Sequence, residues 1–432
     1  MLFKNIGIVD ENFDYVKSMF VETKDDRIVY VSSVRPENYE GEEYDGTGKV
    51  LMPGFVNAHS HSPMTLLRGY AENLPLQRWL NEKVFPFEDR IKGEDAYYSS
   101  MLAIAEMLRY GTVSFSDMYF FSENVAKAVT DSGIKCNFSR AITSFEDTDI
   151  ENLQSFRESE DIVKRFHNAA DGRLKIDMSL HAEYTNRRTI IEQFAEKVRE
   201  RGLRAHIHLS ETKKEHEECK AKYSLTPTQL FYKCGVFDVP TTAAHCVWVE
   251  DGDIEILREK GVTAATCPAS NLKLGSGICD VYKLLKSGVN VAIGTDSVAS
   301  NNNLNMIKEM FLCALLPKGL HNDASVVSER DILKMATVNG YKAQGREDSG
   351  AIKAGYKADI CVLNIESEHM YPQTDMINNL VYAADGADVV LTMADGKVLY
   401  KDGEFTTIDI EKVKSTVNAA ASRIISEVKK NG

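Results

Sequence analysis

The sequence has no apolar run that approaches the roughly 20 residues needed to cross a bilayer. Residues 1–5 do not lead into the apolar stretch of a signal peptide. The eight cysteines are scattered and contain no Cys-x-x-Cys pair. We therefore expect a cytoplasmic protein without disulfides and without a membrane partner.

Positive charge is also scarce. The chain has 51 Lys and Arg residues but 64 Asp and Glu residues, which gives a net charge of -13. The basic residues alternate with carboxylates instead of forming a cluster, so no nucleic-acid partner is expected. The sequence also lacks a Gly-x-Ser-x-Gly elbow, a phosphate-binding Gly-x-x-x-x-Gly-Lys loop and a dinucleotide-binding Gly-x-Gly-x-x-Gly motif.

From residue 50 to about residue 350, strand-like and helix-like segments alternate. Short apolar, β-branched segments predict strands at residues 50–58, 112–117, 134–140, 174–181, 204–209, 241–245, 262–267 and 290–296. Amphipathic segments such as 95–109, 190–201 and 253–260 predict helices between them. Eight β-then-α units predict an α/β protein built on a closed (β/α)8 TIM barrel.

Both chain ends instead read as short strands with tight turns, at Asp45-Gly46, Asp395-Gly396 and Asp402-Gly403. Neither end has enough strands for its own core, so we expect the two ends to combine in one small β-sandwich. The predicted domains are residues 1–52 and 352–432 for the sandwich and its closing helix at 408–430, with the barrel at 53–351.

Histidines are concentrated at the ends of the predicted strands. His59 and His61 end the first strand, His208 ends the fifth, and Asp296 ends the eighth. A lone His-x-His pair more often consists of two unrelated histidines. Parallel barrel strands, however, deliver their C-terminal residues to one rim. Three imidazoles and one carboxylate leave room for water on a divalent ion, which is typical of a catalytic metal site.

We expect Zn(II) at this site, although Fe(II), Mn(II) or Co(II) accept the same donors. Such an ion lowers the pKa of bound water toward about 7. Asp296 can accept the proton, and His245, which ends the sixth strand, can orient the water. Glu211 lies just after His208 and is predicted to deliver a proton, with a helix-capping role as the alternative. His206 is interpreted as a core residue or a partner of a metal ligand.

Four longer sequence strings contain these residues. They are PGFVNAHSHSPMTLLRG at 53–69, HLSET at 208–212, SNLKLGSG at 270–277 and GTDSVASNN at 294–302. In these strings the chain resembles the amidohydrolase superfamily, and within it the branch of 5-methylthioadenosine/S-adenosylhomocysteine deaminases and related adenosine deaminases. The resemblance covers essentially the whole chain.

The resemblance implies how a small-molecule nucleoside would be processed. The implied metal ligands are His59, His61, His208 and Asp296. Glu211 would protonate the purine ring nitrogen while activated water attacks the amino-bearing carbon, and ammonia would leave. The implied substrate-binding residues are Glu88 for the ribose hydroxyls, Arg140 and His181 for the distal part, and Glu211 and Asp296 for the base. Barrels of this family often associate into homo-oligomers.

Two positions depart from the family pattern. The branch usually has His-Ser-Pro-Tyr where this chain has His181-Ala182-Glu183-Tyr184, so we expect an extra carboxylate near the substrate tail. A second arginine found in some relatives is missing from residues 142–147. These departures favour neutral-tailed adenosines, such as 5′-methylthioadenosine, 5′-deoxyadenosine or adenosine. Trp79 and Phe85 are candidates to cap an apolar tail, unless they are core residues.

Two alternatives stay open at this point. The same metal site could serve a deaminase or chlorohydrolase acting on guanine, pterin or triazine rings, because a fold does not determine its substrate. The barrel could also be a catalytically silent scaffold, although such a protein need not retain every metal ligand.

Overall fold

The computed structural model describes residues 1–74 and 76–431 of the chain. The N-terminal strands are β1 (Leu2–Val9), β2 (Tyr15–Lys24), β3 (Arg27–Ser32), β4 (Glu43–Asp45) and β5 (Lys49–Pro53). The central strand segments are β6 (Phe55–Ser60), β7 (Thr112–Met118), β8 (Lys135–Ser139), β9 (Ala141–Ile142), β10 (Leu174–Ile176), β11 (Met178–Leu180), β12 (Ala205–Leu209), β13 (Thr241–His245), β14 (Thr263–Thr266) and β15 (Asn290–Ile293). The C-terminal strands are β16 (Ile360–Asn364), β17 (Val389–Ala394), β18 (Lys397–Lys401) and β19 (Glu404–Phe405).

Helices alternate with the central strands and continue after them. The α-helices are Leu76–Trp79, Phe85–Glu88, Gly93–Arg109, Ser122–Ser132, Gln154–Phe166, Arg188–Glu200, Lys213–Tyr223, Pro227–Lys233, Asp251–Glu259, Pro268–Lys273, Val281–Lys286, Val298–Asn301, Met306–His321, Glu329–Ala336, Val338–Ala343, Met376–Tyr382 and Ile410–Asn431. Short 3-10 turns occur at Ser62–Leu67, Ile150–Asn152, Glu183–Thr185, Val236–Asp238, Glu368–Met370 and Gly386–Asp388, and one π-helical turn at Leu80–Val84. Within the described ranges, no helix is both long and apolar enough to span a membrane.

The ten central segments form the eight strands of a parallel barrel, which confirms the predicted fold. They pair in the orders β10-β8-β7-β6 and β15-β14-β13-β12-β11-β9. The third barrel strand is interrupted at Arg140, between β8 and β9, and the fourth at Asp177, between β10 and β11. The ring closes where Ser60 and Asp296 form a parallel bridge.

Burial explains the sequence pattern of the barrel. Every residue of β7 and of β13 is buried, as expected for parallel strands that are covered on both faces. The surrounding helices bury only one face. In the helix Arg188–Glu200, for example, the buried residues are Ile190, Ile191, Phe194, Ala195 and Val198.

Strands from both chain ends form a separate mixed sheet beside the barrel, as predicted. Its order is β19-β18-β17-β16-β5-β1-β2-β3, with β4 paired to β1. The turn between β17 and β18 has positive φ angles at Asp395 and Gly396, 44° and 72°, which suit an Asp-Gly hairpin. Buried Lys135 of the barrel reaches Asp359 and Asp395 at 2.5 and 2.7 Å and so joins the two units.

Two local predictions are wrong. Residues 50–58 are not one strand, because β5 belongs to the terminal sheet, β6 begins the barrel, and the chain changes sheet at Gly54. Both segments are buried, so their apolar pattern shows no break. Asp45-Gly46 is not a hairpin turn, because β4 and β5 both run parallel to β1. The domain boundaries at 1–52, 53–351 and 352–432 stay predictions.

Candidate active site

Four side chains from three barrel strand ends converge at one point. They are His59 and His61 at the end of β6, His208 in β12, and Asp296 after β15. The Oδ1 atom of Asp296 lies 3.6 Å from Nε2 of His59 and 3.3 Å from Nε2 of His61. The Nε2 atoms of His61 and His208 are 3.4 Å apart. The structure therefore brings together all four residues that the sequence predicts as metal ligands.

His245, at the end of β13, adjoins this cluster. The ligand atoms of His59, His208 and His245 lie within 4.8 Å of one another, as do those of His59, His61 and Asp296. His59 belongs to both groups, so the two groups share one small volume.

Hydrogen bonds at Nδ1 orient the three predicted imidazole ligands. Nδ1 of His61 donates to the carbonyl of Met118 at 2.5 Å, and Nδ1 of His208 donates to the carbonyl of His181 at 2.8 Å. These bonds leave the Nε2 lone pairs facing inward. Nδ1 of His59 is 3.0 Å from Nε2 of His206, which places His206 as the partner of a predicted ligand.

The Nε2 atom of His59 is buried and has no hydrogen-bond partner. An orphaned buried nitrogen beside a carboxylate oxygen is satisfied when a cation lies between them. A divalent ion accepts these nitrogen and oxygen donors, so the residues present fit a metal site.

The backbone holds the first and last barrel strands together beside this cluster. The amide groups of Thr295 and Asp296 donate to the carbonyl of His59 at 3.2 and 2.9 Å. A Cβ atom on Gly294 would lie 2.9 Å from both N and Cβ of His59, so this position accommodates only glycine without displacing the histidine. The string Gly294-Thr295-Asp296 therefore joins the last barrel strand to the first and also supplies the carboxylate of the cluster.

The carboxylate dominates the electrostatics of the cluster. Burial opposes ionisation of Asp296, but the adjacent imidazoles of His59, His61 and His245 outweigh it and hold its pKa well below the usual range. Burial likewise opposes the charge on His61, yet Asp296 and the Met118 carbonyl raise its pKa to about 9. Burial lowers the pKa of His59 to about 3. The cluster therefore stabilises positive charge next to Asp296.

Three residues at these strand ends have positive φ angles. The angles are 47° at Ser210, 74° at His245 and 60° at Asp296. Asp and His adopt this left-handed conformation more readily than most L-residues, so the backbone strain lies at Ser210, directly before Glu211.

Glu211 lies beside His245, with Oε2 of the glutamate 3.9 Å from Nε2 of the histidine. Ser276 donates to the Oε1 atom of Glu211 at 3.2 Å, and burial raises the pKa of this carboxyl group. The capping alternative for Glu211 is wrong, because Thr212 caps the following helix and Glu215 completes the capping box. Glu211 is therefore free to face the cavity.

A cavity of about 470 Å³ opens onto the cluster. It is lined by His61, Met64, Trp79, Leu80, Val84, Phe85, Glu88, Met118, Tyr119, Phe120, Arg140, Ala141, Thr143, Phe145, His181, Tyr184, Thr185, His208, Glu211, His245, Leu274, Asp296 and Ser297. This volume suits a drug-sized molecule. The candidate tail-capping residues Trp79 and Phe85 both contribute to the lining.

The predicted substrate-binding residues also line this cavity, but two of them already have protein partners. Tyr119 donates to Glu88 at 2.5 Å. Arg140 donates through Nε to Glu158 at 2.7 Å and through Nη1 to the carbonyl of Ala141 at 2.7 Å. Burial lowers the pKa of His181 to about 4, so its imidazole is neutral at neutral pH.

One expectation about the cavity is wrong. Glu183 is not among the lining residues; it is 2 % exposed and approaches Glu215 instead. Residues 142–147, where the second arginine is missing, contribute Thr143 and Phe145 to the cavity lining.

Sequence reasoning missed the residues that hold the predicted catalytic groups. Ser270 and Ser300 donate to Oδ2 of Asp296 at 2.5 and 2.9 Å. The Oδ1 atom of Asn271 is 2.9 Å from Nδ1 of His245. The sequence did indicate that these three residues belong to the site, because they lie within the SNLKLGSG and GTDSVASNN strings. Only the structure shows which side chain each one contacts.

An eight-stranded α/β barrel with a buried histidine and aspartate cluster at its rim, open to a ligand-sized cavity, defines the class of metal-dependent barrel hydrolases. Comparison with known proteins agrees with this class. The chain belongs to the amidohydrolase family, whose model matches residues 50–399.

Two relatives are similar over most of the chain. A 5-methylthioadenosine/S-adenosylhomocysteine deaminase from Dictyoglomus thermophilum is 45% identical over 383 residues, which cover 89% of each chain. A 5′-deoxyadenosine deaminase from Methanothermobacter thermautotrophicus is 40% identical over 401 residues, 93% of each chain. Among solved structures, a zinc-bound adenosine deaminase from Xanthomonas campestris superposes with a TM-score of 0.92 at 29% identity and covers 98% of each chain.

Proposed function

We propose that this chain hydrolyses the amino group of a 5′-substituted adenosine to give the inosine analogue and ammonia. The observation that carries this proposal is the convergence of Glu211, His245 and Asp296 on one cavity with the histidine cluster. The relatives with 45% and 40% identity, both named as deaminases of adenosine-type substrates, support it.

We assign His59, His61, His208 and Asp296 as the ligands of one divalent metal, with zinc as the first choice. The nitrogen and oxygen donor set and the zinc in the Xanthomonas campestris structure support this choice, whereas Fe(II) and Mn(II) remain chemically suitable. When bound, the ion supplies Lewis-acid activation of water.

Three protein residues transfer protons or orient the water. Asp296, held by Ser270 and Ser300, accepts a proton from the attacking water. Burial raises the pKa of Glu211, which favours the protonated form that gives a proton to the purine ring nitrogen. His245, held by Asn271, orients the water. The oxygen of water bonds to the amino-bearing ring carbon, Asp296 passes the proton it accepted to the amino nitrogen, the carbon–nitrogen bond breaks, and ammonia leaves. The remaining hydroxyl proton returns to Glu211 as the carbonyl group of the product forms.

The remaining cavity residues bind the ribose and the 5′ group. Glu88 accepts from the ribose hydroxyls, and His181 contacts the distal part of the substrate. Arg140 faces the same region, but Glu158 already compensates its charge at 2.7 Å. The surrounding lining is largely apolar, with Trp79, Leu80, Val84, Phe85, Phe120 and Phe145. This environment favours a neutral tail, such as that of 5′-methylthioadenosine or 5′-deoxyadenosine, over a charged amino-acid tail.

Ammonia release from a substrate panel tests this proposal. The panel contains 5′-methylthioadenosine, 5′-deoxyadenosine, adenosine, S-adenosylhomocysteine, guanine, a pterin and a triazine. We expect the highest kcat/KM with a neutral-tailed adenosine. Turnover of guanine, pterin or triazine alone would contradict the proposed substrate, and turnover of none by metal-loaded protein would favour the scaffold alternative. A cytoplasmic location and homo-oligomer formation stay predictions.

A further inference from the structure

Two buried glutamates, Glu183 and Glu215, lie behind the turn that carries Glu211. Glu183 follows β11 in the 3-10 turn Glu183–Thr185, and Glu215 lies in the first turn of the helix Lys213–Tyr223. Their exposed fractions are 2 % and 5 %. Neither residue lines the cavity, so neither can contact a substrate there.

One oxygen of Glu215 is used to hold the backbone of the active-site turn. Its Oε2 atom accepts from the amide of Glu211 at 2.9 Å and from the amide of Thr212 at 3.3 Å. In return, the Glu215 amide donates to the Thr212 hydroxyl at 3.1 Å. The position of Glu211 therefore depends directly on the position of the Glu215 carboxyl group.

The other oxygens of the two glutamates have no ordinary partner. Oε1 of Glu215 and both carboxyl oxygens of Glu183 are buried without a hydrogen-bond partner of good geometry, and only the nearby backbone N–H groups of Glu183 and Tyr184 lower the pKa of Glu183 from the backbone side. The remaining ionisable groups that interact with the two glutamates are Glu211, Tyr184, Cys219, Cys246 and Lys222. Lys222 is the only cation in this set, but it is exposed and lies over the Tyr223 ring at 4.6 Å. Within the described ranges, no ion pair neutralises either glutamate.

Two adjacent carboxylates cannot both remain ionised in such a place, because each would be an uncompensated buried charge beside a like charge. A single proton between them relieves the repulsion and supplies the missing donor. We propose that Glu183 and Glu215 share one proton, carried on Oε1 of Glu215 and donated to Glu183, and that this pair positions the Glu211 turn.

The electrostatics support this assignment. Burial, together with the neighbouring charges of Glu183 and Glu211, raises the pKa of Glu215 well above its ordinary value. Burial raises the pKa of Glu183 to about 7, and the hydrogen-bonding contact with Glu215 opposes that rise. Both shifts favour a shared proton, and Oε1 is the oxygen of Glu215 that can carry it, because Oε2 already accepts the two backbone amides.

The positioning role rests on the proposed function, because Glu211 is the group that delivers the proton. If the turn moves, the carboxyl group of Glu211 is no longer aligned with the ring nitrogen. This misalignment lowers kcat more than it raises KM. Glu183 and Glu215 are positioning residues, since they act through the backbone of Glu211 and touch no reacting atom.

Glu215→Gln mimics the proposed state most closely, because the amide oxygen can accept the two backbone N–H groups while its NH₂ donates to Glu183. Glu215→Leu and Glu183→Leu remove one side of the pair at similar volume. Glu217→Leu, an exposed position on the same helix, is the matched control. Each variant is assayed for kcat and KM, and metal content and thermal unfolding confirm that it has folded.

Infrared difference spectroscopy between wild type and Glu215→Gln at neutral pH detects directly whether Glu215 is protonated. We expect the wild type to show the carbonyl band of a protonated carboxylic acid that Glu215→Gln lacks. In Glu183→Leu this band should remain but shift, since its hydrogen-bond acceptor is gone. The other raised carboxyl groups are common to both proteins and cancel.

We expect Glu215→Gln and Glu217→Leu to keep kcat within about twofold of wild type, and either leucine variant of the pair to lower kcat about tenfold with little change in KM. Absence of the band, or a Glu215→Gln variant as impaired as Glu215→Leu, would overturn the proposal. The infrared result needs no turnover. A protein that shows the band but releases no ammonia therefore supports the shared proton and contradicts the proposed function alone.

Discussion

The hydroxyl group of Tyr119 donates a 2.5 Å hydrogen bond to Oε1 of Glu88 inside the cavity. This bond occupies one oxygen of the carboxyl group that we assign to the ribose hydroxyls. Burial raises the pKa of Glu88 to about 7, in spite of the Tyr119 bond, which lowers it. The carboxylate therefore titrates in the range where an enzyme assay is run.

This relationship predicts a pH dependence of substrate binding. A carboxylate can accept from both ribose hydroxyls, whereas its protonated form loses part of that capacity. Since the pKa is raised to about 7, the binding form is lost as the pH falls through 7 and gained as it rises. We expect kcat/KM for a riboside to increase about tenfold between roughly pH 6 and pH 8.

Two variants separate Glu88 from other groups that titrate in the same range. Glu88→Gln should remove this limb of the pH profile and raise KM, because the amide has no proton to lose. Tyr119→Phe should keep the limb but shift it to higher pH, since the bond that lowers the Glu88 pKa is gone. An unchanged limb in Glu88→Gln would show that another group causes it.

The Arg140 and Glu158 ion pair predicts a switch in tail preference. Glu158→Gln removes the carboxylate that compensates Arg140, so the guanidinium becomes available to a substrate carboxylate. We expect the ratio of kcat/KM for S-adenosylhomocysteine to that for 5′-methylthioadenosine to rise at least about tenfold. Glu192→Gln, which breaks a surface ion pair with Arg188, is the control and should leave the ratio unchanged.

The hydrogen bond from Ser270 to Asp296 predicts a loss of activity when it is removed. Ser270→Ala removes one of the two hydroxyl donors to Oδ2, while Ser300 still donates. We expect kcat to fall about tenfold with metal content retained, because the carboxylate turns without leaving the cluster. The exposed Ser422→Ala serves as the control. Full activity in Ser270→Ala would mean that Ser300 alone fixes the carboxylate.

Metal removal should affect stability as well as activity. Without a cation, the buried Nε2 atom of His59 has no hydrogen-bond partner. An ion that binds only the folded state stabilises it by mass action. We expect a chelator to lower the Tm and abolish ammonia release, with both restored by added Zn(II). A Tm that does not respond to chelation and metal addition would contradict this role.

The barrel and its ligand cluster could be predicted from the sequence because strand ends in a parallel barrel have a fixed location. His59, His208 and Asp296 end separate apolar segments, and the fold alone brings such ends together. The break at Gly54 could not be predicted, because both flanking segments are buried and equally apolar.

Side-chain partners were the least predictable part of the site. Nothing in the string around Glu183 indicates that it turns away from the cavity toward Glu215, 32 positions later in the sequence. The pairing of Arg140 with Glu158 likewise depends on how the helix Gln154–Phe166 packs beside the third barrel strand. Such contacts depend on packing angles and rotamers, which local sequence patterns do not encode.

The central claim is that four side chains hold one catalytic cation, and anomalous scattering from zinc in crystals of the protein tests it most directly. We predict one anomalous peak at roughly 2.0–2.2 Å from Nε2 of His59, His61 and His208 and from a carboxylate oxygen of Asp296. No peak at this position in zinc-loaded, active crystals, or a peak held by a different set of side chains, would contradict the account.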